Sequence, residues 1–127
     1  MSNEEFIKML ISRKENEIYD CKRAAIQPKD ILKTINAILN TQGGLIAIGI
    51  EDDSKAKGID RILGIEGYED HISEIKKLVS KEFEPPAQPY ISFYDLATND
   101  KEGIKKTITV IFIEKSESVH SLKNGDT

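Results

Sequence analysis

The sequence predicts an α+β fold: a mixed sheet of about four strands with helices packed on it, preceded by an N-terminal helix. Three observations lead there. The periodicity of apolar residues switches repeatedly and gives the order α, then β-α-β-α-β-β. The first two full strands are joined through a helix, which makes them parallel, whereas the last two are joined by a short polar loop, which makes them an antiparallel hairpin. The 127 residues are 39% hydrophobic and 31% charged, with no Trp, which suits one domain with an aliphatic core.

Residues 3–13 read as a helix with Phe6, Ile7, Leu10 and Ile11 on one side and Asn3 at its N-cap. The core of the domain then spans 15–127. Over 15–22 the period changes to that of a strand: Tyr19 and Cys21 point one way, and Ile18, Asp20 and Lys22 the other. Residues 24–27 form a loop. Pro28 opens a helix that runs to about Asn40, burying Ile31, Leu32, Ile35, Ile38 and Leu39. Lys29, Lys33, Asn36 and Asn40 fall at i, i+4, i+7 and i+11, a polar and basic stripe on the opposite side. Gly43 and Gly44 end this helix as a C-cap.

Residues 45–50 are apolar on both faces, as in a central strand covered on two sides. Glu51, Asp52 and Asp53 follow where that strand reaches solvent. A polar connection over 51–67 carries a small apolar return at Ile59, Ile62 and Leu63. A helix over 69–83 presents Ile72, Ile75, Leu78, Val79 and Phe83, and Pro85 and Pro86 stop it. Residues 90–96 alternate as a strand, 98–103 form a hairpin loop, and 105–114 form the last strand. Asn124-Gly125-Asp126 is a turn signal with no second strand after it, which is expected of a piece of a longer protein.

Composition excludes several classes. A single Cys21 forbids an internal disulfide and points to a reducing, cytoplasmic setting. No apolar run is long enough to span a bilayer, and the N-terminus has no signal-peptide core. A net charge of −4 and a pI near 5.3 require that any nucleic-acid contact be made by a local basic face. No phosphate-binding loop of the G-x4-G-K-[ST] type is present. His71 and His120 lack metal-ligand spacing; His71 reads as a surface residue and Cys21 as a buried thiol.

Two segments carry a resemblance. Asn40-Thr41-Gln42-Gly43-Gly44 leads into the apolar strand, and Gly49-Ile50-Glu51-Asp52-Asp53 leaves it. Glu15 and Asp20-Cys21-Lys22 precede them, Gly58-Ile59 follows, and Pro85-Pro86-Ala87-Gln88-Pro89 introduces the third strand. In these positions the chain resembles the AlbA_2 domain of Schlafen proteins and of bacterial proteins described as transcriptional regulators, also grouped as "divergent AAA-4". Asn40, Gly43, Gly44 and Gly49 are its structural motif. Asp-Cys-Lys stands where the family has Glu-Phe-Lys, which keeps the charges but shortens the acid and replaces a ring with a thiol.

The resemblance implies an Alba-like core, a DNA- or RNA-binding role and a homodimer. The basic candidates for phosphate contact are Lys22, Arg23, Lys29 and Lys33, then Lys55 and Lys57. Lysines on helices are also commonly just a solvated face. Some Schlafen relatives are metal-dependent endoribonucleases, and the resemblance maps their three carboxylates onto Glu15, Asp20 and Asp52. These would hold Mg²⁺ or Mn²⁺, with Lys22 steadying the transition state. Carboxylates at a strand exit also form turns without any such role. A third reading is an assembly module that dimerises through an edge strand at 105–114.

Overall fold

A computed structural model describes residues 2–13 and 18–123 of the chain. The elements are α1 (Asn3–Ser12), β1 (Tyr19–Lys22), α2 (Pro28–Leu39), β2 (Gly44–Ile48), α3 (Glu69–Val79), β3 (Phe83–Glu84), β4 (Ile91–Asn99), β5 (Lys105–Ile113) and β6 (Ser121–Leu122). Two short 3₁₀ turns cover Gly58–Arg61 and Gln88–Tyr90.

Four strands form one mixed sheet in the order β1-β2-β5-β4. β1 and β2 are parallel, with Tyr19 opposite Leu45 and Lys22 opposite Ile48. β5 runs antiparallel to both β2 and β4. The α+β expectation therefore holds. The expectation that 105–114 is an edge does not: β5 is interior, and the edges are β1 and β4. The hairpin loop returns β5 onto β4, but the apolar run of β5 can only be buried by a second neighbour, which is β2.

Helices cover both faces. α2 and α3 lie on one, burying Ile31, Ile35 and Ile75 against Ile46, Ile48 and Ile111. α1 and the turn at Gly58–Arg61 lie on the other, where Leu10, Tyr19, Ala47, Ile50, Ile62 and Ile108 meet. Alternation along β2 explains this division, because Ile46 and Ile48 face one layer and Ala47 the other.

Several boundaries shift for local reasons. The N-cap of α1 is Ser2, not Asn3: Ser2 Oγ accepts the Glu5 N–H at 3.2 Å and donates to Glu5 Oε1 at 3.1 Å, a Ser-x-x-Glu arrangement. The strand expected over 15–22 occupies Tyr19–Lys22, and residues 14–17 lie outside the described part. α3 stops at Val79 because Leu78 O turns to accept from Lys81 and Glu82, which frees Phe83 to pair in β3. The stripe expected along α2 is interrupted, since Asn36 is buried at 3% exposure. Asn40 Nδ2 donates to Asn36 Oδ1 at 3.3 Å and to His120 O at 2.8 Å, while Asn40 Oδ1 accepts the His120 N–H at 2.8 Å. The amide thus clips the end of α2 to the segment that leads into β6.

Gly43 and Gly44 make the turn from α2 into β2 in a confined space. Gly43 has φ +78°, and a Cβ there would lie 2.6 Å from Ile113 O and 2.8 Å from Lys115 N. A Cβ at Gly44 would collide with Ile18 O. The backbone of β2 must pass this close because Leu45 N–H donates to Ile18 O at 2.9 Å.

Candidate nucleic-acid interface

Because β1 and β2 are parallel neighbours, their C-terminal ends emerge side by side. In sheets covered by helices such paired exits are common places for sites. Lys22 O joins the two exits by accepting from Gly49 N–H at 2.8 Å and Ile50 N–H at 3.3 Å. Gly49, at φ +104°, offers its own carbonyl to Leu63 and Gly64 N–H at 2.8 and 2.9 Å. A Cβ at Gly49 would stand 3.0 Å from the Gly64 backbone, so the chain can leave the sheet here only as glycine.

The chain beyond Gly49 folds into a turn built on its carboxylates. Asp52 N–H donates to Glu51 Oε1 at 3.0 Å, and Asp52 Oδ1 accepts the Ser54 N–H at 2.8 Å. Asp52 O accepts from Lys55 and Ala56 N–H at 3.0 and 3.2 Å. The Ser54 backbone bond, then the Ser54 hydroxyl and the Lys55 charge, hold the Asp52 carboxyl below its ordinary 3.8. Turn formation and a place at the strand exit thus coexist in Asp52.

Between the two exits lies an open hollow of about 440 Å³, lined by Cys21, Lys22, Arg23, Ala25, Ile26, Ile50, Glu51, Asp52 and Lys55. Three cations and two carboxylates share its rim. Arg23 Nε stands 3.9 Å from Glu51 Oε2, with 61% of the arginine side chain exposed and 15% of the glutamate. Lys22 Nζ stands 3.3 Å from Asp20 Oδ2. Asp20, two residues before Lys22, projects from the same face of β1. Its Oδ1 is buried without a hydrogen-bond partner among the described residues.

The expected site residues divide into groups. Lys22, Arg23, Lys55 and Asp52 are brought together at the hollow, and Asp20 adjoins them through Lys22. Lys29 lies elsewhere, in a groove of about 410 Å³ between α2 and α3 beside Glu74 and Glu82. Lys33 is exposed on α2 and Lys57 is exposed before the 3₁₀ turn; neither lines the hollow. Glu15 lies outside the described residues. Among the described residues, no three His, Cys, Asp or Glu side chains are grouped to hold a metal ion.

Sequence reasoning did not single out Arg61, which is 1% exposed and anchors the Glu51 carbonyl from behind. The available signal was a lone arginine inside the apolar return Ile59–Leu63. His71, expected at the surface, is half-buried: its Nδ1–H donates to Ile26 O at 3.1 Å and ties α3 to the wall of the hollow. His120 is buried, with ring nitrogens 2.7 Å from Pro85 O and 2.6 Å from Ser116 Oγ. Cys21 faces the α1 layer as its parity requires.

Sheet order, two-sided cover and the charged hollow define a small α+β domain with its candidate site at the ends of two parallel strands. The chain matches the family model "Schlafen, AlbA_2" over residues 15–126 and belongs to that family. No curated protein matches it in sequence. Among solved structures it is similar to the DIP2311 protein from Corynebacterium diphtheriae, with a TM-score of 0.59 and 16% identity over 97% of this chain. That likeness is one of fold, and the chain spans 23% of that protein's length. Among the described residues no helix is long and apolar enough to cross a membrane.

Proposed function

We propose that the hollow between β1 and β2 binds the backbone of a nucleic acid, and that the chain is the nucleic-acid-contacting domain of a regulator in the cytoplasm. The observation that carries this reading is the convergence on one hollow of Lys22 and Arg23, from the end of β1, and Lys55, from the turn after β2. Arg23 and Lys55 are exposed, and a guanidinium offers forked donors to phosphate oxygens. Glu51 orients Arg23 without enclosing it. Glu51 and Asp52 repel phosphate but accept from donors such as an exocyclic amine or a ribose 2′-hydroxyl. The mixed rim therefore favours one backbone path with nucleotide donors turned inward.

The test is a titration of labelled duplex DNA and hairpin RNA at several salt concentrations. Arg23→Glu with Lys55→Glu should weaken binding and lower the magnitude of the log–log salt slope by roughly 2, about one for each lost phosphate contact. Lys29→Glu with Lys33→Glu should leave both unchanged, since those lysines lie away from the hollow. Equal effects from the two double variants would defeat the assignment.

One observation favours a second reading, metal-assisted phosphodiester cleavage: beside Lys22, Asp20 keeps a buried oxygen with no partner among the described residues. Asp20 and Asp52 alone do not complete a three-carboxylate site among the described residues, so no step is derived through a metal. Incubation of hairpin RNA with Mn²⁺, with and without Asp20→Asn, separates the two readings.

A further inference from the structure

We propose that β4 is a homodimerisation edge, pairing antiparallel with β4 of a second copy about a two-fold axis at Tyr94. β4 runs for nine residues in unbroken register with β5, from Ile91 opposite Ile113 to Asn99 opposite Lys105. Among the described residues no strand lies outside it. Natural edges are shielded by shortness, bulges, prolines or lysines. The other edge, β1, is only four residues long, whereas β4 has none of these features and one charge, Asp95.

Hydrogen-bond parity fixes which groups are free. Glu114 N–H donates to Tyr90 O at 2.8 Å, and Asp100 N–H donates to Ile104 O at 2.9 Å. Even-numbered residues of β4 therefore bond to β5, and Ile91, Phe93, Asp95, Ala97 and Asn99 point their N–H and C=O outward. A second copy in antiparallel sense satisfies them when Phe93 faces the partner's Asp95 and Ile91 faces the partner's Ala97. Each such pair exchanges both of its bonds.

Charge selects this register over its neighbours. Centring the axis on Asp95 would oppose two like charges. Centring it on Tyr94 sets Asp95 against the partner's Phe93, and Lys76 Nζ already sits 5.7 Å from the Phe93 ring centroid. Phe93 and Asp95 share the α3 face of the sheet, so each Asp95 gains the partner's Lys76, twice by symmetry. On the other face Tyr94, 56% exposed and edge-on to Phe112 at 5.5 Å, meets its own symmetry mate. The axis is perpendicular to the sheet and remote from β1, so both charged hollows stay open and the pairing does not depend on what they bind.

Sedimentation equilibrium of the full chain over the micromolar range should give twice the 14.3 kDa of one chain. Ala97→Pro removes an outward N–H that the folded monomer does not use, so it should leave a folded monomer. Asp95→Lys should lower the association constant roughly tenfold or more through repulsion from the partner's Lys76. Combining it with Lys76→Asp should restore association. Tyr94→Cys should cross-link under mild oxidation, because residues facing across a non-bonded pair are about 4.5 Å apart at Cα; Ser92→Cys should not. A wild-type monomer, a dimer indifferent to Ala97→Pro, or a charge swap that fails to restore the dimer would each overturn the proposal.

Discussion

Arg61 and Cys21 meet inside the protein, with Nη2 3.2 Å from Sγ. The arginine is 1% exposed and the cysteine 4%. The other donors of the guanidinium go to backbone carbonyls: Nε to Glu51 O at 2.8 Å, and Nη1 to Ile11 O at 2.9 Å and Arg13 O at 2.8 Å. Among the described residues no carboxylate forms an ion pair with it. One side chain thus fastens the end of α1 to the strand exit that shapes the hollow. A thiol at position 21 leaves room for that guanidinium, which a large aromatic ring there would crowd.

Removing this anchor takes the guanidinium donors away from the partly buried carbonyls of Ile11, Arg13 and Glu51. Arg61→Met should cost about 3–5 kcal/mol, the summed loss of several hydrogen bonds and a large share of the stability of a small domain. Arg61→Lys should recover only part, since one ammonium cannot serve carbonyls in three directions. Urea unfolding curves measure both. A loss under about 1 kcal/mol for Arg61→Met would mean that water satisfies those carbonyls as well.

Asn40 is expected to matter through geometry and not charge. Its amide donates to His120 O and accepts from His120 N–H, each at 2.8 Å. Asn40→Ala should cost about 1–3 kcal/mol by chemical denaturation. Asn40→Asp keeps the acceptor but sets a carboxylate oxygen against the His120 carbonyl, so it should be no better than alanine. Amide exchange should quicken at Lys123, whose N–H donates to Glu82 O at 2.8 Å in the β3–β6 ribbon beside this clip. An aspartate variant as stable as wild type would contradict the two-bond account.

Much of the fold was legible because a strand buried on both faces leaves a short unbroken apolar run between turn residues. Ile46, Ala47 and Ile48 are all fully buried, and the hairpin of β4 and β5 follows from its polar loop. The interior place of β5 was not legible, because nothing local in a strand says which neighbour lies on its far side. The β3–β6 ribbon, two residues in each strand, is too short to carry a period. At the site, Lys22 and Asp52 could be placed together once β1 and β2 were known to be parallel. Lys29 could not be separated from them, since a loop of unknown path lies between Arg23 and Pro28. Arg61 stayed hidden because a buried arginine looks, in sequence, like a solvated one.

Acidity should act on the strand-exit turn through Asp52. The Ser54 backbone bond lowers the Asp52 carboxyl from 3.8, so folding favours its ionised form. That contribution is fully present above the unfolded value and is lost as pH falls through the lowered folded value. Carbon-detected NMR titration should place the Asp52 midpoint below 3.8, and Asp52→Asn should abolish the accompanying shift of the Ser54 amide. A midpoint at or above the ordinary value would remove the turn bond from the account.

The sharpest prediction concerns Asp20, whose buried Oδ1 has no partner among the described residues although Oδ2 lies 3.3 Å from Lys22 Nζ. An unpartnered carboxylate oxygen carries its full desolvation cost, and a single half-buried lysine offsets it only in part. Asn at this position has nearly the same shape and no charge to desolvate. Asp20→Asn should therefore raise the stability of the domain by about 1 kcal/mol, against the usual trend of substitutions. A residue retained at a cost to stability is expected where function requires it. The same variant should keep metal-free nucleic-acid binding at the Arg23 and Lys55 side of the hollow, while removing any Mn²⁺-dependent cleavage of RNA. If Asp20→Asn instead destabilises the protein by more than about 1 kcal/mol, the carboxylate is a structural partner of Lys22, and the second functional reading loses the observation on which it stands.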